Sequence, residues 1–463
     1  MQMYRAGVVA TAVVVLSACG NDHEEPITWY QTIAPIVSEH CMSCHREGGV
    51  APFALTDYAA VREHASDMLD AITTGRMPPF GVQGDSSCMP HYDWLDDPRL
   101  SGDQRQLVAE WVRRDFPVGD EASIPAPPSR NLEGVTSTLA PTQSWTVAGD
   151  QDQFVCYLLD PGVTTNAWLT GLQVRPGVPE VVHHVIVAEL PAGPETDAAV
   201  AQVGIGKPYD CTTTGAISNL GLYVWTPGEQ PLEMRDGVAA PLLAGAKLGL
   251  QFHYHPHGIT PPDITSVDLR VTTERPQMMF LAGLIGNAVQ GPQLLPDPDD
   301  PSGMVEFRVP AGTTTHTEHM QFAFDGDLHL ASVGPHMHLL GTKLEAKRVD
   351  ANGAEECLVN SKWDFDWQRY YTFDRPTDDL PTIHAGESLD LKCTYNNSYS
   401  NPFMSRWLTE SSALSLSDVY EGERTVDEMC LLIVGGLSPV PADIRQLGKS
   451  VRELSVKLSP RSR

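Results

Sequence analysis

Residues 181–187 read VVHHVIV, an apolar run with a pair of histidines at its centre. Valine and isoleucine are β-branched and favour extended backbone, so the stretch predicts a buried β-strand. Similar short runs recur along the chain between turn-forming residues, as in an antiparallel sandwich. The predicted strands are residues 154–159, 181–190, 248–255, 267–272 and 327–333.

The chain before residue 123 has a helical pattern instead. Apolar residues recur at three-to-four spacing in 61–72 and 104–112, and Asp103 is a candidate cap for the second helix. The run PAPPS at 125–129 predicts a stiff linker.

Length and charge bound the class of protein. A chain of 463 residues is too long for one compact core, so two to four domains are expected. The net charge of −28 argues against nucleic-acid binding, because few basic groups would neutralise phosphates. The simplest interpretation of this net charge is a solvated acidic surface.

The N-terminus has the pattern of an export signal. Arg5 precedes an apolar run at 6–16 that is too short to span a bilayer as a mature helix. The run ends in LSAC, which resembles the bacterial lipobox and implies cleavage before Cys19 and a diacylglycerol on its sulfur. The alternative is an ordinary secretory signal with a chance cysteine. We therefore expect an exported bacterial lipoprotein, held by its lipid on the periplasmic side of a membrane or at the cell surface.

Residues 41–45 read CMSCH. Thiols at this spacing, Cys41 and Cys44, can add to the two vinyl groups of one haem, and His45 can then bind its iron. The alternatives are a thioredoxin-like redox pair and half of a zinc site. No thioredoxin-like strand precedes the motif, and the sequence has no second C-x-x-C to complete a zinc site.

The sixth haem ligand must come from elsewhere, and Met77 in GRMPPF is the best candidate. Residues 41–80 resemble small cytochrome c domains, which commonly place a thioether opposite the histidine. The rival ligands are Met68, Met89, His64 and His91.

Beyond the linker, histidines cluster in three places, with a methionine in DEMC at 427–430. Side chains at i and i+2 of a strand share a face, so His336 and His338 can bind one metal. Neighbours on a regular strand point apart, so His183 and His184 require a twist or the use of different ring nitrogens. Imidazole plus thioether suits copper that cycles between two oxidation states, whereas zinc more often recruits Cys, Asp or Glu.

These motifs resemble, in the same order, those of the ascorbate-dependent type II copper monooxygenases, the family of dopamine β-monooxygenase and the peptidylglycine α-hydroxylating enzyme. The resemblance spans about residues 135–437 and implies two jelly-roll-like domains facing each other across a cleft. It implies one copper on His183, His184 and His253, with His255 of the same motif outside the ligand set. It implies a second, catalytic copper that binds O2 on His336, His338 and Met429.

Six of the nine cysteines remain after lipid and haem attachment, and in an oxidising compartment disulfides are expected. Spacing alone leaves many pairings open. The family resemblance implies a bond between Cys393 and Cys430 that would hold Met429, and by the same mapping Cys156 and Cys211 are expected to pair. Cys88 and Cys357 are left, and they could bridge two domains.

The resemblance implies hydroxylation of a C–H bond of a small organic substrate with O2. Two electrons are required, from an ascorbate-like reductant or a redox protein, and the haem region is expected to feed them to the three-histidine copper. Peptide α-hydroxylation is the less favoured alternative, because Gly334 and Ile433 replace the Arg and Tyr of the peptide-hydroxylating relatives. A non-enzymatic electron-transfer or copper-handling lipoprotein is the other alternative, and intact Met429 weighs against it.

Two further features have simpler interpretations than substrate binding. Glu189 follows the histidine pair on its strand, where a surface carboxylate is favoured over a contact to a substrate amine. The aromatic run WDFDWQ at 363–368 favours strand packing over a substrate cage.

The predicted fold class is multidomain, with a small all-α cytochrome c domain followed by two mainly antiparallel β-sandwich copper domains. The predicted boundaries are a signal peptide at 1–19, a haem domain at 20–122, a linker at 123–134, copper domains at 135–275 and 276–440, and a basic tail at 441–463.

Overall fold

The structure is a computed structural model of the chain. It describes residues 26–458 except positions 48, 50, 128–130, 150–151, 212–220, 257, 259, 288–292, 301–304 and 423. The predicted signal peptide and the lipid-bearing Cys19 lie outside the described residues, as do the last five residues of the basic tail.

The helices are short and most of them lie at the two ends of the described chain. A single π-helical turn, Trp29–Ile33, leads into the first of them, and 3-10 turns lie at Thr377–Asp379 and Ile444–Gln446. In chain order the α-helices are α1 (Ala34–His40), α2 (Tyr58–Glu63), α3 (Ala65–Thr73), α4 (Gly102–Arg113), α5 (Pro194–Val203), α6 (Met404–Ser411) and α7 (Leu447–Leu458).

Strands make up most of the regular structure after residue 136. In chain order they are β1 (Ser137–Leu139), β2 (Trp145–Thr146), β3 (Gln153–Leu159), β4 (Ala167–Arg175), β5 (Val182–Leu190), β6 (Tyr209–Asp210), β7 (Gly221–Trp225), β8 (Leu232–Glu233), β9 (Val238–Leu242), β10 (Lys247–Tyr254), β11 (Pro262–Asp263), β12 (Ser266–Thr272), β13 (Met278–Gly286), β14 (Arg308–Val309), β15 (His316–Ala323), β16 (Leu328–His336), β17 (Gly341–Val349), β18 (Glu355–Lys362), β19 (Tyr371–Thr372), β20 (Thr382–Ile383), β21 (Ser388–Tyr395), β22 (Val419–Tyr420) and β23 (Leu431–Pro439). The five strands predicted from the sequence correspond to β3, β5, β10, β12 and β16.

Three larger sheets contain most of these strands. A ten-stranded sheet has the order β1-β12-β4-β9-β13-β23-β16-β19, with β8 paired to β4 and β20 paired to β16. A five-stranded sheet has the order β6-β3-β10-β5-β7, and a four-stranded sheet has the order β15-β21-β17-β18. The short pairs β2–β11 and β14–β22 complete the arrangement.

The ten-stranded sheet crosses the boundary that the sequence predicts between residues 275 and 276. Strand β9, from the first half, pairs in parallel with β13, from the second, through Val238 with Met278 and Ala239 with Met279. A single apolar core runs through both halves, from Phe80 to Leu454. The two halves are therefore joined by main-chain hydrogen bonds as well as by side chains.

The first four helices pack around a small core of their own, which includes Trp29 and Trp111. Helix α4 begins with a capping box, in which Ser101 Oγ accepts from the Gln104 amide and Gln104 Oε1 accepts from the Ser101 amide. The cap is thus Ser101 and not Asp103. The helix predicted at 61–72 is interrupted at His64, which separates α2 from α3.

The predicted fold class is wrong. The protein is mostly β with several sheets, and the described residues contain no small all-α cytochrome c domain. Between α3 and α4 the chain runs extended, and Phe80, Val82 and Trp94 are buried in the core of the β region. Val82 and Trp94 even form single β-bridges to Ser361 and Phe373. Nor do two separate sandwiches exist, because one sheet is shared between the halves.

Three disulfides cross-link the β region: Cys88–Cys357, Cys156–Cys211 and Cys393–Cys430. The two pairings expected from the family resemblance are present, and the remaining two cysteines form the third bond. Disulfides are consistent with an exported protein. Among the described residues, the helices include none with the length and apolar character needed to cross a bilayer.

The region predicted as a basic tail is partly structured. Its helix α7 is amphipathic and buries Leu447, Val451 and Leu454 against the end of the ten-stranded sheet.

Candidate metal centre

His183, His184 and His253 meet between two paired strands of the five-stranded sheet. His253 on β10 lies opposite His184 on β5, and the next pair is Tyr254 with Val182. His183 is therefore an extra residue, a β-bulge, and a bulge re-aims the side chain at its position. The bulge explains how two neighbours on one strand point to the same side.

The Nδ1 atoms of the three rings form a nearly equilateral triangle. Their separations are 3.2 Å for His183–His184, 3.1 Å for His183–His253 and 3.3 Å for His184–His253. Hydrogen bonds cannot account for all three contacts, because each Nδ1 either carries a proton or presents one lone pair. Three nitrogens bound tetrahedrally at about 2.0 Å from one metal would lie about 3.3 Å apart. The donor set therefore fits a metal ion.

Behind this triangle, Asp152 fixes the orientation of His253. Its Oδ2 lies 2.8 Å from His253 Nε2, and its Oδ1 lies 2.6 Å from Nδ1 of His255. Arg406 forms an ion pair with the same carboxylate. Burial opposes ionisation, but the hydrogen bonds from the two histidines outweigh it and hold the pKa of Asp152 well below its usual range. His255 thus contacts the Asp152 carboxylate and is not one of the three histidines of the triangle.

Two imidazoles of the triangle, those of His183 and His184, are kept neutral. Burial first, and then the nearby His253, lower the pKa of His183 and of His184 well below the usual value. Neutral imidazole is the form that binds a metal.

His336 and His338 form a second buried pair at the end of β16, with ring centroids 5.4 Å apart. Nδ1 of His336 lies 3.0 Å from Gln368 Oε1, and Nδ1 of His338 lies 3.1 Å from the Asp427 carbonyl oxygen. These contacts engage one nitrogen of each ring and leave Nε2 for a ligand. Burial lowers the pKa of His336 to about 4 and that of His338 to about 3.

Strand pairing brings Met429 to the same place. His336 pairs with Leu431 across the antiparallel strands β16 and β23, so His338, two residues after His336, and Met429, two residues before Leu431, lie at the same ends of the two strands. The buried Glu428 carboxylate accepts from the amides of both His338 (3.0 Å) and Met429 (3.2 Å). One side chain therefore clamps the two segments that carry the second set of donors.

The Met429 segment is held from behind as well. The Tyr395 hydroxyl donates to the Met429 carbonyl oxygen at 2.8 Å, and the next residue, Cys430, is bonded to Cys393. Burial raises the pKa of Glu428 to about 8, so this carboxyl group takes up a proton near neutral pH.

The aromatic segment 363–368 lies between the two histidine sets and is not a strand. The Phe365 ring stacks on His183 with centroids 5.9 Å apart, while the Trp363 ring lies edge-on to His336, also at 5.9 Å. Trp363 Nε1 donates to the His338 carbonyl oxygen at 2.9 Å. The segment is therefore not a strand, but its Trp363 and Phe365 do pack in the buried core, where they also contact both histidine sets.

The haem-binding pattern lies on a turn after α1. Nδ1 of His45 is 3.1 Å from the Phe53 carbonyl oxygen, which leaves Nε2 as its possible ligand atom. Cys41 and Cys44 are free thiols. Burial raises the pKa of Cys41 to about 12, which does not suit a reactive thiolate of the thioredoxin kind. The donors present fit covalent attachment of a haem.

The candidates for the sixth ligand differ in where the structure places them relative to His45. The Phe53 ring lies 4.8 Å from that of His45 and stacks at 4.0 Å on that of His64. Met77 is half-buried after α3, where its amide donates to the Ala71 carbonyl oxygen. Met68 is buried in the helical core, and Met89 is 57% exposed. Met77 stays a prediction, and His64 stays its nearest rival.

The turn that carries the CMSCH motif contacts the β region. A Cβ at Gly228 would lie 3.0 Å from Cys44 Sγ, so the thiol packs on the turn after β7. The next residue, Glu229, pairs with Arg369 at 3.4 Å. Arg369 also donates to the Pro79 carbonyl oxygen, two residues after Met77.

The space beside Gly334 is filled. A Cβ there would lie 2.9 Å from the Tyr370 ring and 3.4 Å from Ile433, so a larger residue at 334 would displace the ring. Glu189 is likewise not where the sequence placed it. It is 3% exposed, and its Oε1 accepts from the Leu243 amide at 3.0 Å, far along β5 from the histidines.

Sequence reasoning missed the groups that orient the ligands, Asp152, Gln368 and Glu428. Asp152 and Gln368 are far in sequence from the histidines they contact, so no local pattern could single them out. Glu428 did carry a signal, as the acidic residue directly before Met429 in the DEMC motif at 427–430.

Comparisons with known proteins do not identify the chain. No family model matches the sequence, and no curated protein matches it. Among solved structures, the major capsid protein P2 of bacteriophage PM2 has 9% identity and a TM-score of 0.26, over 66% of this chain and 98% of that one. Allantoicase of Saccharomyces cerevisiae has 11% identity and a TM-score of 0.17, over 63% and 80%. Similarity this weak supports neither a fold nor a function.

Proposed function

We propose that the protein is a copper- and O2-dependent monooxygenase that hydroxylates a C–H bond of a small organic molecule. The observation that carries the proposal is the triangle of Nδ1 atoms at 3.1–3.3 Å. It is supported by a second, different donor set a short distance away, His336, His338 and Met429. Two donor sets of different composition suit two copper ions with different roles, one in electron transfer and one in O2 activation.

The donors match copper better than zinc. Three imidazoles, and two imidazoles with a thioether, include no thiolate and no carboxylate, and a thioether favours the reduced ion. Copper bound there supplies one-electron transfer and the activation of O2. The overall reaction consumes two electrons and two protons, inserts one oxygen atom into the C–H bond and releases the other as water.

The residues of the chain have separate tasks in this proposal. His183, His184 and His253 hold one copper, and the carboxylate of Asp152 keeps His253 turned toward it. His336, His338 and Met429 are the catalytic set, and the Glu428 clamp keeps their two segments together. Phe365 and Trp363 cover the space between the sets with apolar surface, which limits access of water.

We also propose that haem c is attached at Cys41 and Cys44 with His45 as one iron ligand, and that it passes electrons to the three-histidine copper. The contact of Cys44 with the Gly228 turn supports this route. So does Arg369, which contacts Pro79 and directly follows the segment 363–368, whose Phe365 ring stacks on His183. The first electron donor would be an ascorbate-like reductant or a redox protein.

The finer location is proposed on the sequence alone. An export signal that ends in a lipobox supports a lipoprotein anchored through Cys19 and facing the periplasm or the cell exterior. The three disulfides agree with export but do not distinguish a lipoprotein from a secreted protein.

Metal analysis of the mature protein tests the proposal. We expect two coppers and one iron per chain, with O2 uptake when the protein is reduced. His183→Ala and His338→Ala should each lose one copper, whereas His319→Ala, which removes a histidine paired with Asp390 on the surface of the four-stranded sheet, should keep both. Copper content that is equal in all three variants would refute the metal assignment.

O2 uptake separates the enzyme from its rival. A copper-handling or electron-transfer lipoprotein would bind copper but show no O2-dependent product in a metabolite screen. An enzyme would yield a product heavier by one oxygen atom, and this signal should disappear in His338→Ala. Peptide substrates stay disfavoured, because Tyr370 occupies the space beside Gly334 where a carboxylate-binding side chain would be needed.

A further inference from the structure

A second kind of donor cluster lies away from both histidine sets, in the second half of the chain. Asp297 belongs to the loop before β14, and His316 and Glu318 are two residues apart on β15, so their side chains share a face. One ligand atom from each residue lies within 4.8 Å of the other two. His316 is 7% exposed and Glu318 is 1% exposed.

The distances suit ligands of a single ion. His316 Nε2 lies 3.0 Å from Glu318 Oε1 and 3.7 Å from Asp297 Oδ2. The first contact is a hydrogen-bond length, but the second is too long for one. Donors about 2.0–2.2 Å from a tetrahedral zinc ion lie about 3.3–3.6 Å apart, between the two observed values.

The opposite side of the His316 ring carries a further carboxylate. Nδ1 lies 3.3 Å from Asp299 Oδ1, so one ring nitrogen faces the cluster and the other faces an orienting acid. Metal-bound histidines commonly have this arrangement, in which the outer carboxylate fixes the ring and strengthens its basicity. The cluster is thus more than an acidic patch, since a buried imidazole nitrogen is its central donor.

Local charge also favours a cation. Arg308 is the basic side chain that pairs with this loop, and its guanidinium contacts Asp299, Glu306 and Asp418. Its contact with Glu318 is through the backbone amide. Asp297 has neither contact, and its Oδ1 accepts from the amides of Asp299 and Asp300.

The cluster lies behind the Met429 segment. Across β15 and β21, His316 pairs with Tyr395 and Glu318 pairs with Cys393. Tyr395 donates to the Met429 carbonyl oxygen, and Cys393 is bonded to Cys430. A ligand that rigidifies this end of β15 therefore also rigidifies β21, the strand whose Tyr395 and Cys393 hold the Met429 segment.

We propose that Asp297, His316 and Glu318 bind a structural divalent cation of the zinc type, with water as the fourth ligand. Two carboxylates and one imidazole are a zinc donor set, and they differ from the donor sets of the two histidine clusters. The site does not depend on the proposed oxygenase activity.

Zinc content and thermal stability test the site. Copper-loaded protein, given Zn2+ and then dialysed, should retain one zinc per chain and melt at a higher temperature than the same copper-loaded protein dialysed without added Zn2+. Asp297→Asn, a change in a half-buried loop residue, should weaken zinc binding at least about tenfold and abolish the thermal shift while both coppers remain. His316→Ala is the second variant and should behave in the same way.

Asp390→Asn is the matched control, because Asp390 pairs with His319 across β21 and β15, and the part of the chain that the structure describes adds no third donor to this pair. It should bind zinc like the natural sequence. Wild-type protein that retains no zinc, or Asp297→Asn that retains as much as wild type, would overturn the proposal and leave His316 as an imidazolium that joins Glu318 to Asp299. Copper counts in the same samples report separately on the proposed function.

Discussion

His183 shows how one residue decides whether a metal can bind. On a regular strand its ring would point away from that of His184, and the pair could not share an ion. The bulge opposite His253 turns the ring back, and the three Nδ1 atoms then face a common point. Motif order predicted these three residues, but not the bulge, because a bulge depends on the register with a strand 70 residues away.

Asp152 is expected to control copper affinity at the three-histidine set. Asp152→Asn keeps the size of the side chain but removes the charge that orients His253 and stabilises its bound form. We expect copper affinity at this set to fall by about 10- to 100-fold, the usual effect of losing such a partner. Competition with a copper chelator measures it.

Asp160→Asn is the control for this change. Asp160 directly follows β3, as Asp152 directly precedes it, but Asp160 pairs with Lys247 at the other end of the strand. It should leave copper affinity unchanged. Equal affinities in Asp152→Asn and the natural protein would show that the carboxylate only supports the fold.

Glu189 is expected to make stability depend on pH. Burial raises its pKa to about 7, against about 4.3 in an unfolded chain. The folded protein therefore binds the proton more tightly, so its stability is highest below pH 4.3 as far as this group is concerned and is lost as pH rises through 7. The two pKa values differ by about 2.7, so at about 1.4 kcal/mol per pKa unit the full loss is roughly 4 kcal/mol.

Glu189→Gln removes this charge and keeps the acceptor for the Leu243 amide. The variant should be more stable than the natural protein at pH 8 and about equal to it at pH 4, in urea unfolding at both values. Glu133→Gln, at an exposed position in the same half, should change neither curve. A variant less stable than the natural protein at pH 8 would contradict the buried-charge argument.

At the scale of elements, strands were predictable where β-branched residues dominate. Strand β5 is rich in valine and is buried on both faces, so its sequence is almost continuously apolar. Helix ends were less predictable. His64 interrupts a continuous helical pattern between α2 and α3, and its ring stacks on Phe53, a tertiary contact that periodicity does not encode.

The extended segment between α3 and α4 was not predictable at all. It is rich in Pro, Gly and Asp, which locally indicates a loop. Its fixed position comes from partners about 270 residues later: the Val82–Ser361 bridge, the Cys88–Cys357 bond and the Trp94–Phe373 bridge. Because it joins the β region, the helical segment is not an independent domain.

The Cys88–Cys357 bond is expected to be the strongest of these attachments. Cys88→Ser with Cys357→Ser should lower the free energy of unfolding by ~2–5 kcal/mol, because the bond closes a very long loop in the unfolded chain. Limited proteolysis should then cut the segment near Gly84 or Ser87 before it cuts the strands. Denaturant unfolding and peptide mapping measure the two effects.

Cys156→Ser with Cys211→Ser is the comparison for that variant. It also removes a disulfide, but one that lies within the first half and leaves the segment attached. It should lower stability without exposing residues 81–97 to protease. Early cleavage there in both variants would mean that the bond does not hold the segment specifically.

The whole molecule departs most from what the sequence indicates. Two similar runs of strands with a proline near residue 276 favour two domains, yet β9 and β13 pair in parallel across that point. Parallel pairing joins strands that are distant along the chain, so no hairpin signal marks it. The same pairing leaves one apolar core where two were expected.

A shared sheet and core should make residues 135–458 unfold as one unit. Met279 tests this, since it is fully buried at the junction and pairs with Ala239. Met279→Ala should cost about 2–5 kcal/mol through the cavity it leaves. In calorimetry the single large transition should move to a lower temperature as a whole, because loss of packing at the junction weakens both halves together. Independent domains would instead give two large transitions, with Met279→Ala shifting only the one that belongs to the second half.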